Sequence, residues 1–237
     1  MNRRHTSFVA GLLVALGLFV GNGCASVTGS GTARTLPPGE SELGAGLELG
    51  LGLPKIAPTH HAPIPWPQFV LGYRRGLTDR LDVGGRVWGF GLPILYTVGV
   101  EADAKIALKK AEATTRGIDY TLDPAISYHQ VSFGHAPTHS PIVQAPLLIG
   151  INTNGGDQFV VGPRVGYQGV FGKDLNSIHL FLWGTNVAYS WKVAQKLRLF
   201  PELVFLHSPV SFNGLENDGQ RRGLTIFQIG LGMRFDI

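Results

Sequence analysis

The sequence predicts an all-β protein: a closed antiparallel transmembrane up-and-down β-barrel of about ten strands. Three observations support this prediction. An export signal opens the chain, segments of about ten residues alternate apolar and polar side chains, and no later stretch is apolar for long enough to cross a membrane as a helix. A chain of 237 residues with 33 glycines and only 15% charged residues also suits a closed sheet.

Residues 1–23 have the layout of a secretory signal peptide. Arg3 and Arg4 precede a short apolar run at 8–20 (FVAGLLVALGLFV), and small residues follow it. The run is shorter than the roughly 20 apolar residues of a helical span. Without these two arginines, 18 basic residues oppose 16 acidic ones. So small and scattered an excess of positive charge argues against nucleic acid as a partner.

Cys24 is the one cysteine of the chain and directly follows the signal. The exit sequence GNGC (21–24) resembles a bacterial lipobox, in which the cysteine is acylated and becomes the first residue. Gly21 departs from that pattern, which prefers Leu there. The resemblance implies lipidation of Cys24, and the alternative is ordinary cleavage nearby. Residues 24–41 are rich in Ser, Thr, Gly and Pro and have no period, so we expect a flexible tether there.

The barrel is predicted over residues 42–237, and its clearest strand is 97–108. The even positions of that strand are all apolar, while the odd ones include Glu101, Asp103 and Lys105. Successive side chains of a strand point to opposite faces, so one face is apolar and the other is charged. The same alternation predicts strands at about 42–51, 68–74, 81–87, 97–108, 118–131, 143–151, 159–167, 179–192, 197–207 and 227–237.

Turn residues separate these strands. Five prolines between residues 54 and 67 exclude a regular ladder and predict a long loop. Tight turns are predicted at 76–79 (GLTD), 91–93 (GLP) and 154–157 (NGGD). A polar turn is predicted at 109–117, and loops are predicted at 133–141, 171–177 and 208–222.

Tight and long connections mostly alternate along the chain, with 91–93 as the exception. Barrels of bacterial outer membranes have short periplasmic turns and longer extracellular loops. With an even number of strands, both termini are then expected in the periplasm. A lipid on Cys24 would lie on the same side.

From about Glu42 to Ile237 the chain resembles the small outer-membrane β-barrels of Gram-negative bacteria. Its last strand (GLTIFQIGLGMRFDI) is similar to the C-terminal signal of that class, although it ends in Ile237, with Phe235 two places earlier. The segment YRRGLTDRLD (73–82) resembles their periplasmic turns. The resemblance implies an outer-membrane location, contact with membrane lipid, and insertion by the barrel-assembly machinery. It concerns an architecture and not one activity.

Charged side chains on the inward faces nearly balance in sign. We expect them to pair and to fill the lumen, because buried charges need partners and narrow barrels are filled by their own side chains. A narrow solute pathway and a specific ligand site are the alternatives. The predicted lumen network comprises Glu48, Arg86, Glu101, Asp103, Lys105, Asp119, Arg164, Arg198, Glu202 and Arg234.

Histidines outside the signal fall at the predicted extracellular end. Imidazole binds transition metals and titrates near neutral pH, so His60, His61, His135 and His139 are weak candidates for a metal site. The simpler interpretation is that polar aromatic residues collect in loops and at the membrane interface. No metal and no cofactor are therefore assigned.

Some outer-membrane barrels are enzymes that act on lipids or proteins. Ser127 and His129 lie two residues apart on one strand face, with Asp123 on the same face. Nucleophilic catalysis needs such groups within mutual reach, but this spacing is a weak signal. The sequence therefore favours a non-enzymatic outer-membrane barrel, either structural or a narrow pore. A lipid-modifying barrel enzyme is the runner-up, and a soluble barrel that binds an apolar ligand is the third possibility.

Overall fold

The computed structural model of the chain describes residues 31–54, 66–92, 95–111, 116–133, 137–153, 155–173, 175–209, 211–212 and 224–237. Over these residues the fold is built from strands, and no helix among them is long and apolar enough to cross a membrane. The strands are β1 (Ser41–Pro54), β2 (Trp66–Thr78), β3 (Leu81–Leu92), β4 (Leu95–Lys109), β5 (Ile118–Leu122), β6 (Ala125–Phe133), β7 (Thr138–Asn152), β8 (Gln158–Gly172), β9 (Leu175–Ala194), β10 (Leu197–Ser208), β11 (Ser211–Phe212) and β12 (Leu224–Asp236).

The sheet closes on itself and is antiparallel throughout. The last long strand, β12, pairs with β1 along its whole length, from Glu42 opposite Asp236 to Pro54 opposite Leu224. On its other side β12 pairs with β10, which also pairs with β9. The remaining strands pair in chain order, so the ring has no free edge. The predicted closed barrel is confirmed.

The wall has ten spans, as predicted, although the predicted strand at 118–131 is divided. It forms β5 and β6, which both pair with β4 on one side and β7 on the other. The break falls at Asp123-Pro124 because proline has no N–H to give to the ladder. The two-residue strand β11 pairs only with β9 and adds to the hairpin beyond the wall.

The outward side chains of the wall are mostly apolar, and its charged side chains point mostly inward. Phe69, Leu71 and Ile126 are each more than 60% exposed, whereas Lys105 and Asp82 are 0% exposed. A soluble barrel with an apolar interior requires the opposite arrangement, so the structure does not support that alternative. An exterior of this kind is stable against hydrocarbon and not against water.

The strands are longer than the predicted ten residues or so. The 13 residues of β12 extend about 43 Å at ~3.3 Å each, and at the tilt usual for membrane barrels they cross about 33 Å. The hairpin of β8 and β9 is longer still, since β9 has 20 residues. The expected loops at 133–141 and 171–177 are correspondingly shorter, because β7 begins at Thr138 and β9 at Leu175.

The two ends of the barrel differ. One end carries the start of β1, the end of β12 and the connections 79–80, 110–117, 153–157 and 195–196. We call it the turn end. Gly156 at this end has φ of +83°, a conformation that favours glycine. The opposite end, at the far termini of β1, β3, β6, β8 and β10, is the loop end.

Candidate functional site: the filled lumen

A charge network crosses the middle of the lumen. It begins with Arg86 on β3, directly opposite Glu101 on β4. Arg86 Nε donates to Glu101 Oε1 at 2.8 Å, and Nη2 donates to Oε2 at 3.1 Å. This is the two-pronged geometry that makes arginine–carboxylate pairs strong. Glu48 Oε1 lies 3.9 Å from Arg86 Nη1, and Glu48 Oε2 accepts a hydrogen bond of 2.7 Å from Gln228 Nε2.

Gln144 joins this half of the network to a second half. Its amide nitrogen donates to Glu101 (3.2 Å), and its amide oxygen accepts from Arg164 (3.4 Å). Arg164 lies 4.0 Å from Glu202, which also accepts a hydrogen bond of 2.9 Å from Asn186. The network therefore runs from β1 to β10 through buried groups. Beside it is a cavity of about 70 Å³, room for a few waters.

A second group of ion pairs lies nearer the turn end. Arg74 on β2 bonds both Asp82 and Asp103. Arg234 on β12 bonds Glu42 on the neighbouring strand β1. Each of these charges thus has an opposite charge within reach, as buried charges require.

Residues 31–36 lie inside the barrel at its turn end. Ala33 is 0% exposed, its N–H donates to Gln158 Oε1 (2.7 Å), and its carbonyl accepts from Thr121 Oγ1 (2.5 Å). Arg34 Nε lies 3.2 Å from Asp119 Oδ2. For these residues the expectation of a flexible tether is wrong, because polar side chains of the wall bind their backbone. We call residues 31–36 the inner segment.

The loop end of the lumen holds an apolar cluster, beside buried polar side chains such as Ser140 and Gln168. Inward side chains of β7, β9, β10 and β12 pack into one buried cluster, with exposures of 2–8%. The wall opposite contributes Trp88, which is 2% exposed and crosses over Gly99 on β4. A Cβ on Gly99 would collide with this indole, so the glycine leaves the space that the ring occupies. The members of the cluster are Ile142, Ile178, Leu180, Leu182, Val204, Leu206 and Ile226.

The three weak catalytic candidates do not form a catalytic group. Ser127, His129 and Asp123 all point into the lumen and are at most 5% exposed. Ser127 and His129 are on one face, about 7 Å apart by strand geometry, and neither ring nitrogen of His129 bonds the serine hydroxyl. Their burial also keeps them from the lipid outside the wall.

Three of the four weak metal candidates, His60, His61 and His135, lie outside the described residues. His139 faces outward near the loop end, where its Nδ1 is 2.5 Å from the hydroxyl of Tyr128. His179 pairs with Tyr167 in the same way, at 2.5 Å. Within the described ranges, no three His, Cys, Asp or Glu side chains are grouped as metal ligands are. These outward pairs occupy the position of an interfacial aromatic girdle.

Nine of the ten predicted network residues have polar partners inside the lumen, in its middle or near its turn end, and the tenth is Arg198. Lys105 and Asp119 bind the inner segment and not another wall charge. Arg198 lies at the rim of the turn end, where it donates to the carbonyl of Gly156 (2.9 Å) and to Ser190 (3.2 Å). Arg34 was missed because it lies in a stretch without alternation, so no face is assigned to it.

These features define the class of the protein, a transmembrane β-barrel of the outer-membrane type. Its apolar exterior, its closed ring of ten spans and its polar interior are those of membrane barrels that cross with strands. Cys24 and the signal peptide lie outside the described residues.

No protein-family model matches the sequence, and no curated protein matches it. Three solved structures that it resembles are outer-membrane proteins or parts of them. The outer membrane protease OmpT from Escherichia coli is 9% identical, with 87% of this chain and 100% of that chain covered, at a TM-score of 0.44. The translocator domain of the autotransporter NalP from Neisseria meningitidis is 10% identical, with 98% of this chain and 95% of that chain covered, at a TM-score of 0.46.

The outer membrane protein OprG from Pseudomonas aeruginosa is 10% identical, with 87% of this chain and 99% of that chain covered, at a TM-score of 0.40. At these identities and TM-scores the likeness carries no information on activity. The assignment of the barrel rests on its own strand pairing and exterior.

Proposed function

We propose that the protein is a structural outer-membrane barrel that performs no chemistry and conducts no solute in the state described. The observation that carries this proposal is the filling of the lumen at three levels. The inner segment occupies the turn end, the network around Arg86 and Arg164 crosses the middle, and an apolar cluster occupies the loop end.

Each level opposes passage for a different physical reason. At the turn end a peptide takes the place of solvent. In the middle, paired charges would have to separate before a solute could pass, which leaves buried charges without partners. At the loop end the buried side chains of the apolar cluster occupy the lumen, and an apolar lining disfavours ions. The cavity of about 70 Å³ is too small for anything beyond a few waters.

Conductance of the purified full chain in a planar lipid bilayer tests the closed state. We expect no steps above those of a protein-free membrane, while heat-modifiable migration on gels shows that the inserted protein is folded. Steady channel openings from folded protein would favour the narrow pore instead. Hydrolysis of lipid A or phospholipid by the same preparation would contradict the non-enzymatic part of the proposal.

We further propose that the turn end faces the periplasm, that Cys24 is lipidated, and that the barrel-assembly machinery inserts the protein. The two longest connections, between β1 and β2 and between β10 and β12, lie at the loop end, and both chain ends lie at the turn end; both features support this orientation. Gly31 lies seven positions after Cys24, a reach of up to about 25 Å, enough to bring a lipid from the barrel mouth to the adjoining leaflet. An epitope added after Ile237 that is digested by external protease in intact cells would contradict it.

A further inference from the structure

We propose that the turn end of the lumen is a peptide-binding site that the inner segment occupies reversibly. Its ligand class is an extended peptide with a small side chain followed by a basic one. This inference goes beyond the closed-barrel role, because it assigns to the turn end a site that can be vacated. It rests on how the wall contacts residues 31–36.

The wall recognises the backbone of the inner segment. Lys105 Nζ donates to the carbonyl of Thr32 (2.9 Å), and Asp82 Oδ2 accepts from the N–H of Leu36 (2.9 Å). Between them, Ala33 gives its N–H to Gln158 and receives a hydrogen bond from Thr121. Side chains from β3, β4, β5 and β8 thus supply the partners that a neighbouring strand gives an extended peptide.

The site also selects for size and charge. Ala33 packs into a buried cluster with Leu148, Val160 and Ala188. A Cβ on Gly150 would lie 2.8 Å from the Ala33 methyl, so a glycine at this wall position makes the room. Arg34 reaches Asp119, whose other oxygen accepts from the N–H of Ala111 (2.6 Å). A small residue followed by a cation therefore fits the pocket and its charge.

A glycine on the wall also admits the end of the segment. A Cβ on Gly76 of β2 would collide with the carbonyl oxygens of Leu36 and Pro37. By contrast, a Cβ on Gly72, on the same face of the same strand, meets Arg86 Cβ at 3.5 Å, which is ordinary contact. The two positions differ in whether the inner segment lies against them.

The contacts are of a kind that water can replace. Among residues 31–36, Ala33 is the one apolar side chain that is completely buried and Leu36 is half-buried, while hydrogen bonds and one ion pair join the segment to the wall. Hydrogen bonds contribute little net free energy when water is the alternative partner, whereas ordering each residue of the segment costs conformational entropy. The free-energy difference between the bound and released states of the segment is therefore smaller than that between the folded and unfolded barrel.

Release would connect the turn end to the central cavity. Gly31 lies against Lys105 and Arg234, and Arg234 also lines that cavity. The groups that the segment leaves behind, among them Asp82, Asp119 and Gln158, are polar and can take water as partners.

Cysteine labelling of the full chain tests the site. In a Cys24→Ser background, Ala33→Cys places the single thiol in the buried pocket, and Pro38→Cys provides an exposed reference. We expect the thiol at position 33 to react far more slowly than that at 38 with a water-soluble maleimide. Adding Gly76→Ala should speed labelling at position 33 by roughly tenfold, and Gly72→Ala should not. Equal rates for Gly76→Ala and Gly72→Ala would overturn the proposal.

A binding measurement tests the ligand class independently. The Arg34→Glu variant sets two carboxylates against each other at Asp119 and should release the segment, so that a fluorescent hexapeptide of sequence GTARTL binds to it and not to the parent chain. The peptide GTAETL should bind to neither. Absence of GTARTL binding to a folded Arg34→Glu barrel would refute the site. Channel openings of the parent chain would overturn only the closed-barrel role.

Discussion

Replacing Arg86 by methionine removes the residue at the centre of the lumen network. Methionine keeps most of the volume of the side chain and removes its charge. The change leaves Glu101 without its two hydrogen bonds of 2.8 and 3.1 Å and Glu48 without the nearby cation at 3.9 Å. Both acids are at most 9% exposed, so water cannot replace the arginine in full.

The size of the effect follows from what remains. Removing one partner of a buried ion pair costs about 3–5 kcal/mol, because the other charge stays buried. Here Gln144 still bonds Glu101 and Gln228 still bonds Glu48, and the small cavity beside the network admits water. We therefore expect a loss of about 3 kcal/mol in the free energy of unfolding. The double change Arg86→Met with Glu101→Leu should recover much of this loss, since no uncompensated acid then remains at position 101.

Urea unfolding of the refolded barrel in phospholipid vesicles, followed by tryptophan fluorescence, measures these differences. Arg75→Met is the matched control. Arg75 directly follows the lumen residue Arg74 on β2, so its side chain points outward. The reasoning fails if Arg86→Met costs less than about 1 kcal/mol, or if the effects at positions 86 and 101 simply add.

Three further substitutions test other parts of the wall by the same unfolding measurement. Leu231 lies on the outward face near the centre of β12 and is 56% exposed. Leu231→Lys should lower the free energy of unfolding by about 2–4 kcal/mol if this face meets hydrocarbon, and no change would contradict the lipid contact. Gly99→Val should cost about 1–3 kcal/mol by overpacking against Trp88, and the fluorescence of Trp88 should be quenched or shifted. Gly156→Ala should cost about 1–2 kcal/mol at φ of +83°, whereas Gly155→Ala should be almost neutral, and equal effects would contradict the turn assignment.

The strand faces could be predicted from the sequence because alternation is a local property. Each inward or outward position in 97–108 depends only on its neighbours in the same strand. Strand limits were predicted less well. At Pro124 a single predicted strand divides into β5 and β6 without any change of face, and the hairpin of β8 and β9 extends into the expected loop at 171–177. Pairing across the ring decides where a strand ends, and periodicity does not report it.

The lumen site was predicted in composition and not in connectivity. Balanced inward charges indicate pairing, but they do not say that Gln144 joins Arg86's half of the network to Arg164's half. The inner segment was not predicted at all. Arg34 and Asp119 are 85 positions apart, and the segment lacks the alternation that would mark one of its faces as buried.

The sequence by itself thus determined the number of spans and the alternating faces of the strands, because both depend on a period of two. The tertiary structure alone decided what fills the barrel. Closure of β12 against β1 sets the width of the lumen and brings charges from distant strands together. At that width, the turn end holds Ala33 and Arg34. In sequence, these residues belong to what looks like an ordinary linker rich in Ser, Thr and Gly.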